Sequence, residues 1–173
     1  GVEGRGGYYE KSGVVRDMIQ NHVFQVLSLV AMEPPATLGP EDVRDGKIKA
    51  MHSARVFTPE RVRAECVRGQ YGPGSIGGKP VPGYREEQGV APDSVTETYA
   101  MITMWFDNWR WSGVPFYIRS GKRLSKRVTE IAIQFKAAPH QLFGQAMETV
   151  TPNQLVIRVQ PDEGITMRVA AKV

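Results

Sequence analysis

A single cysteine, Cys66, in 173 residues excludes an internal disulfide. No metal-ligand spacing surrounds it, and the two facts together read as a reducing, cytoplasmic compartment. No apolar stretch approaches the ~20 residues of a membrane-spanning helix, and polar residues interrupt each candidate, so no membrane partner is expected. No basic segment followed by an apolar one opens the chain, so no secretory signal is read. Long Lys/Arg runs are missing, and a net charge of +4 suits a small anionic substrate as well as nucleic acid. Composition gives no reason to expect a nucleic-acid partner. Methionine is missing from position 1, and Val173 closes the chain inside an alternating apolar pattern, so an internal piece of a longer protein is expected. What is present, 41% hydrophobic and 23% charged residues, has the balance of one globular domain with a core.

Five glycines make residues 1–13 read as a loop. Residues 14–32 lack Gly and Pro and stop before Glu33-Pro34-Pro35, which predicts one helix. At ~100° per residue, Arg16, Asp17, Gln20, Asn21, Gln25 and Ser28 fill a polar arc, and Val15, Met18, Ile19, Val23, Val26, Leu29 and Val30 an apolar one. A helix buried on one side and facing a polar cleft on the other follows. Residues 41–50 read as a short charged helix or turn, 51–57 as a strand, and the Gly- and Pro-rich residues 68–94 as a long surface loop. Strand patterns follow within 95–106, 128–135, 154–160 and 165–169. The fold class expected is α+β, a long buried helix packed on a mainly antiparallel sheet, in one domain spanning 1–173.

Gly72-Pro73-Gly74-Ser75-Ile76-Gly77 spells G-x-G-x-x-G. That fingerprint works only after a strand and before a helix N-terminus, and prolines surround it here, so a plain loop is the better reading. His22 falls among apolar positions. It is either a core histidine satisfied by a carbonyl, or a base held neutral by partial removal from water. Asp17 is either an ordinary first-turn acid or a carboxylate that accepts hydrogen bonds from sugar hydroxyls. Glu3 has the same two readings in a loop. Lys122, Arg123, Lys126 and Arg127 follow Gly121 as a cationic cluster, either a phosphate clamp or a solvated basic turn guarding a sheet edge.

Several blocks together narrow these choices. Glu3-Gly-Arg-Gly-Gly-Tyr-Tyr leads into Val15-Arg16-Asp17-Met18-Ile19-Gln20-Asn21-His22 and Val30-Ala31-Met32-Glu33-Pro34. Asp42-Val43-Arg44-Asp45, Gly69-Gln70-Tyr71, Trp111-Ser-Gly-Val-Pro-Phe116, Arg119-Ser-Gly-Lys122 and Leu155-Val-Ile-Arg-Val-Gln-Pro161 follow in order. The chain closely resembles the glucose-6-phosphate dehydrogenase family. The resemblance implies a C-terminal substrate-binding and dimerisation domain, without the N-terminal Rossmann domain that binds NADP. It implies that His22 takes the proton from the anomeric hydroxyl of glucose 6-phosphate while a hydride passes to NADP. It further implies that Asp17 and Glu3 are substrate carboxylates, that Lys122 reaches the sugar and that Arg127 serves its phosphate end. A homo-oligomer assembled through the sheet is also implied. Arg119, Arg158 and Arg168 fall where some members bind a structural NADP, but Val128 and Ala132 replace basic positions, which argues against that site. The alternative is a non-enzymatic sugar-phosphate-binding or oligomerisation module with the same fold.

Overall fold

The computed structural model describes residues 2–137 and 152–169; Gly1 and Val173 lie outside the described residues. The chain divides into two compact units, Gly1–Arg123 and Leu124–Val173, where the sequence reads as one domain.

The first unit opens with helix α1 (Gly6–Val14), in a segment expected to be loop. Its glycines are there for close approach as much as for flexibility: a Cβ on Gly6 would run into the carbonyl of Gln88. A π-helical segment (Val15–Val23) continues into α2 (Phe24–Ala31), so the predicted helix over 14–32 is present with an unexpected hydrogen-bond pattern. Helix α3 (Pro40–His52) begins with Pro at its first turn and Glu41 and Asp42 beside it, the composition a helix N-terminus favours. It runs through Met51 and His52, so no strand spans 51–57; Ala54 makes only an isolated bridge to Phe106. Helix α4 (Pro59–Glu65) is capped by the Thr58 hydroxyl, which accepts from the Arg61 N–H.

Strands β1 (Cys66–Gly69), β4 (Tyr99–Met104) and β5 (Phe116–Gly121) form an antiparallel sheet in the order β1-β4-β5. Strand β4 alternates, with Ala100, Ile102 and Met104 buried, as a sheet covered on one face requires. These residues share a hydrophobic cluster with Val14, Ile19, Leu27 and Ala31 of the helical run and with Ile118. The Trp111 indole N–H, 2.9 Å from the Ala31 carbonyl, satisfies the end of α2. Between β1 and β4 the expected loop contains a small hairpin, β2 (Gly74–Ile76) with β3 (Lys79–Val81). Gly77 and Gly78, both at positive φ, make its two-residue turn. The G-x-G-x-x-G match is therefore a hairpin, followed by a single 3₁₀ turn (Tyr84–Glu86) and not by an α-helix N-terminus.

The second unit is a separate antiparallel sheet of β6 (Thr129–Gln134), β7 (Gln154–Gln160) and β8 (Gly164–Arg168), in that order. The class is α+β, built of helices and antiparallel sheets. Among the described residues no helix is long and apolar enough to cross a membrane.

Candidate active site

The helical run that carries the candidate acid and base begins at Gly13, whose backbone (φ 61°, ψ 177°) belongs to a region only glycine adopts without strain. Glu97 receives it twice. Its carbonyl accepts from the Val14 N–H at 3.0 Å and its carboxylate from the Val15 N–H at 3.4 Å. A carboxylate there meets the positive end of the helix.

The ladder then widens to i→i+5, as seen where the Phe24 N–H donates to the Ile19 carbonyl. One extra residue in the turn sets everything downstream back by about one α-helical step, ~100°. This accounts for three departures from the sequence wheel. Ser28, placed on the polar arc, is buried and its hydroxyl donates to the Gln25 carbonyl at 2.9 Å. Leu29, placed on the apolar arc, is 50% exposed. His22, expected among apolar neighbours and partly removed from water, is exposed. The helix is accordingly amphipathic and not buried along its length; within 15–23 only Ile19 is buried. The same widening moves His22, five residues after Asp17, toward the Asp17 face, since residues five apart lie only ~50° apart in a π turn.

Lys122 comes from the other side, just past β5. Its N–H donates to the Thr98 carbonyl at 2.8 Å. Gly121 permits this crossing: an added Cβ would lie 2.9 Å from the Tyr99 ring and 3.2 Å from the Thr98 carbonyl. The close approach is thus to backbone and ring of β4. Thr98 is fully buried; its N–H donates to the Gly69 carbonyl and its hydroxyl accepts from the Tyr71 N–H, each at 2.9 Å. The Lys122 ammonium ends 3.3 Å from Asp17 Oδ2 and 5.2 Å from the centre of the Tyr9 ring. Asp17 and Lys122, 105 residues apart, therefore meet.

Arg123 does not join its neighbour Lys122 at Asp17. Arg123 turns inward at φ 56° and pairs with Glu87 at 2.8 Å, both side chains at most 10% exposed. Its guanidinium lies 5.0 Å from the Tyr71 ring, and the Tyr71 hydroxyl donates to the same Glu87 oxygen at 2.9 Å. Burial alone would raise the Glu87 pKa; the hydrogen bonds from Arg123 and Tyr71 and the Arg123 charge outweigh it and hold the carboxyl below its ordinary value. Arg123 is therefore no phosphate ligand. Lys126 and Arg127 are exposed and lie in the second unit. Glu3 is exposed in the turn before α1, at φ 32°. Sequence reasoning missed Tyr9, Glu87 and Glu97, whose partners are distant in the chain. Only the Tyr8-Tyr9 pair beside three glycines carried any signal. Among the described residues no group of three or more His, Cys, Asp or Glu side chains could hold a metal ion.

An α+β unit thus brings an acid from a helix and a lysine from a strand end together, with an exposed histidine further along the same helix. The family model for the glucose-6-phosphate dehydrogenase C-terminal domain matches residues 1–173, and the chain belongs to that family. It is 53% identical over 172 residues to a glucose-6-phosphate 1-dehydrogenase of Aggregatibacter actinomycetemcomitans and 50% identical to that of Bacillus subtilis (strain 168). Each match covers 99% of this chain, and 34% and 35% of those proteins respectively. A crystal structure of glucose-6-phosphate 1-dehydrogenase from Mycobacterium avium superposes with a TM-score of 0.85 at 42% identity, over 100% of this chain and 35% of that one. A glucose-6-phosphate dehydrogenase in complex with its substrate glucose 6-phosphate gives 0.86 at 39% identity, over 100% of this chain and 34% of that one. The chain spans about a third of the length of the relatives it matches.

Proposed function

We propose that this chain is the substrate-binding part of an enzyme that oxidises glucose 6-phosphate at its anomeric carbon to 6-phosphogluconolactone, the entry step of the pentose phosphate pathway. The observation that carries the reading is the Asp17–Lys122 pair, formed between a helix and a strand end, with His22 exposed one π turn along. Asp17 accepts hydrogen bonds from sugar hydroxyls, and Lys122 holds the sugar by charge and hydrogen bonds. An imidazole nitrogen of His22 takes the anomeric hydroxyl proton. As that O–H bond breaks, its electrons form the lactone carbonyl and the anomeric C–H pair leaves as hydride. Arg127 serves the phosphate, and Glu3 is a second carboxylate toward the sugar.

The hydride acceptor in this reading is NADP. The described residues do not fit it: the one glycine fingerprint is a hairpin turn with no α-helix N-terminus to receive a pyrophosphate. The coenzyme is assigned to the part of the relatives' length that this chain does not span. Residues Ile131, Ile133, Leu155, Ile157, Ile165 and Met167 are cross-strand partners and line one apolar face of the second sheet. That face is the proposed surface for a homo-oligomer. The single free thiol, Cys66, suits a cytoplasmic protein.

The test is His22→Asn in the full-length protein. Turnover is expected to fall by roughly 10²–10⁴-fold with the sugar-phosphate KM little changed, the loss typical of removing a general base. Unchanged turnover would remove His22 from the chemistry and the reading with it.

A further inference from the structure

Tyr9 is the buried aromatic nearest the candidate site, and no role in the chemistry above uses it. It is 3% exposed and locked edge-on against Tyr84, with ring centres 6.0 Å apart. Tyr84 is itself held by its hydroxyl, which donates to Glu10 Oε1 at 2.6 Å. The platform is therefore rigid. The Tyr9 hydroxyl is buried and makes no hydrogen bond among the described residues, so the ring and not the phenol oxygen is its working part. Burial first, and then the charges of Asp17 and Glu97, push its pKa well up, so the ring stays a neutral phenol with its π face intact.

The Lys122 ammonium meets both a carboxylate and a ring. Its 3.3 Å separation from Asp17 is longer than the ~2.7–2.9 Å of a tight charge-assisted bond. The ring face attracts the ammonium from another direction without supplying an acceptor. A cation shared in this way is fixed in place yet keeps N–H donors and much of its charge for a ligand. Without the ring, the flexible lysine stem would let the ammonium close onto Asp17, and each would mask the other from the sugar.

We infer that Tyr9 is a positioning residue for sugar-phosphate recognition, its ring holding Lys122 beside Asp17 without neutralising it. This rests on the reading of Lys122 as a substrate ligand. The experiment uses the full-length protein with glucose 6-phosphate as the varied substrate. Tyr9→Leu is expected to raise the KM for glucose 6-phosphate about tenfold, with kcat and the coenzyme KM nearly unchanged. Tyr9→Phe, which retains the ring, is expected to hold that KM within about twofold of the parent. An unchanged KM in Tyr9→Leu overturns the inference, as does a rise in Tyr9→Phe equal to that in Tyr9→Leu. If Tyr9→Leu does not fold, phenylalanines carrying one, two and three ring fluorines at position 9 keep the shape and weaken the π face stepwise. KM must then climb with fluorination, and a flat series overturns the inference. Lys122→Met is the separate control. If it leaves KM untouched, the assignment of Lys122 fails on its own account.

Discussion

The Glu87–Arg123 pair is isolated from solvent, so removing one partner leaves the other poorly compensated. Glu87→Gln keeps an acceptor but loses the charge, and is expected to destabilise the protein by about 2 kcal/mol at pH 7, read from urea unfolding. The pH dependence has a definite sign. The folded-state pKa of Glu87 lies below its ordinary 4.5, so its contribution is complete above that value and is lost as pH falls through the folded value. Wild type and Glu87→Gln should therefore converge in stability below pH 4.5, and a constant gap would refute the assignment. At this scale Asp17 and Lys122 drew attention in the sequence because their segments carry family motifs. The inward turn of Arg123 was not, because its partner is 36 residues earlier and no local pattern distinguishes it from Lys122. The environment of His22 was misread for a different reason, the assumption of an α-helical step through a π turn.

Gly13 decides where the functional helix begins. Its backbone conformation is closed to residues with a side chain, and a Cβ would run into the Glu97 carboxylate. Gly13→Ala is expected to destabilise the protein by roughly 2–3 kcal/mol, measured as a lowered urea midpoint, because backbone strain and displacement of the Glu97 carboxylate add. A midpoint within error of wild type would mean the kink is not required. The helix over 14–32 was legible because no Gly or Pro interrupts it before Pro34, and the strands near 99–104, 129–134, 154–160 and 164–168 because few breakers or an alternating pattern mark them. The helix over 6–14 was not: its glycines look like loop residues until residues 88–90 are seen packed against them. Met51 and His52 continue α3, whose charged pattern gave no sharp stop.

At the scale of the molecule, the sheet of the second unit presents Ile165 at 72% and Met167 at 58% exposure on an apolar face. If that face joins copies of the chain as proposed, the full-length protein should sediment as an oligomer and Ile165→Lys should lower its mass, since a buried unpaired charge opposes association. A wild-type monomer, or an Ile165→Lys protein of unchanged mass, would exclude this face. Strand alternation made the apolar face readable from sequence; the division into two units was not, because composition does not change across residue 123. Within the first unit, the neighbouring residues Glu97 and Thr98 connect what the chain keeps far apart. One grips the first turn of the acid-bearing helix, and the other holds the backbone of Lys122 and ties it to Gly69 and Tyr71. The helix of Asp17 and the backbone of Lys122 are thus both anchored on one dipeptide, so a shift there would displace acid and lysine together.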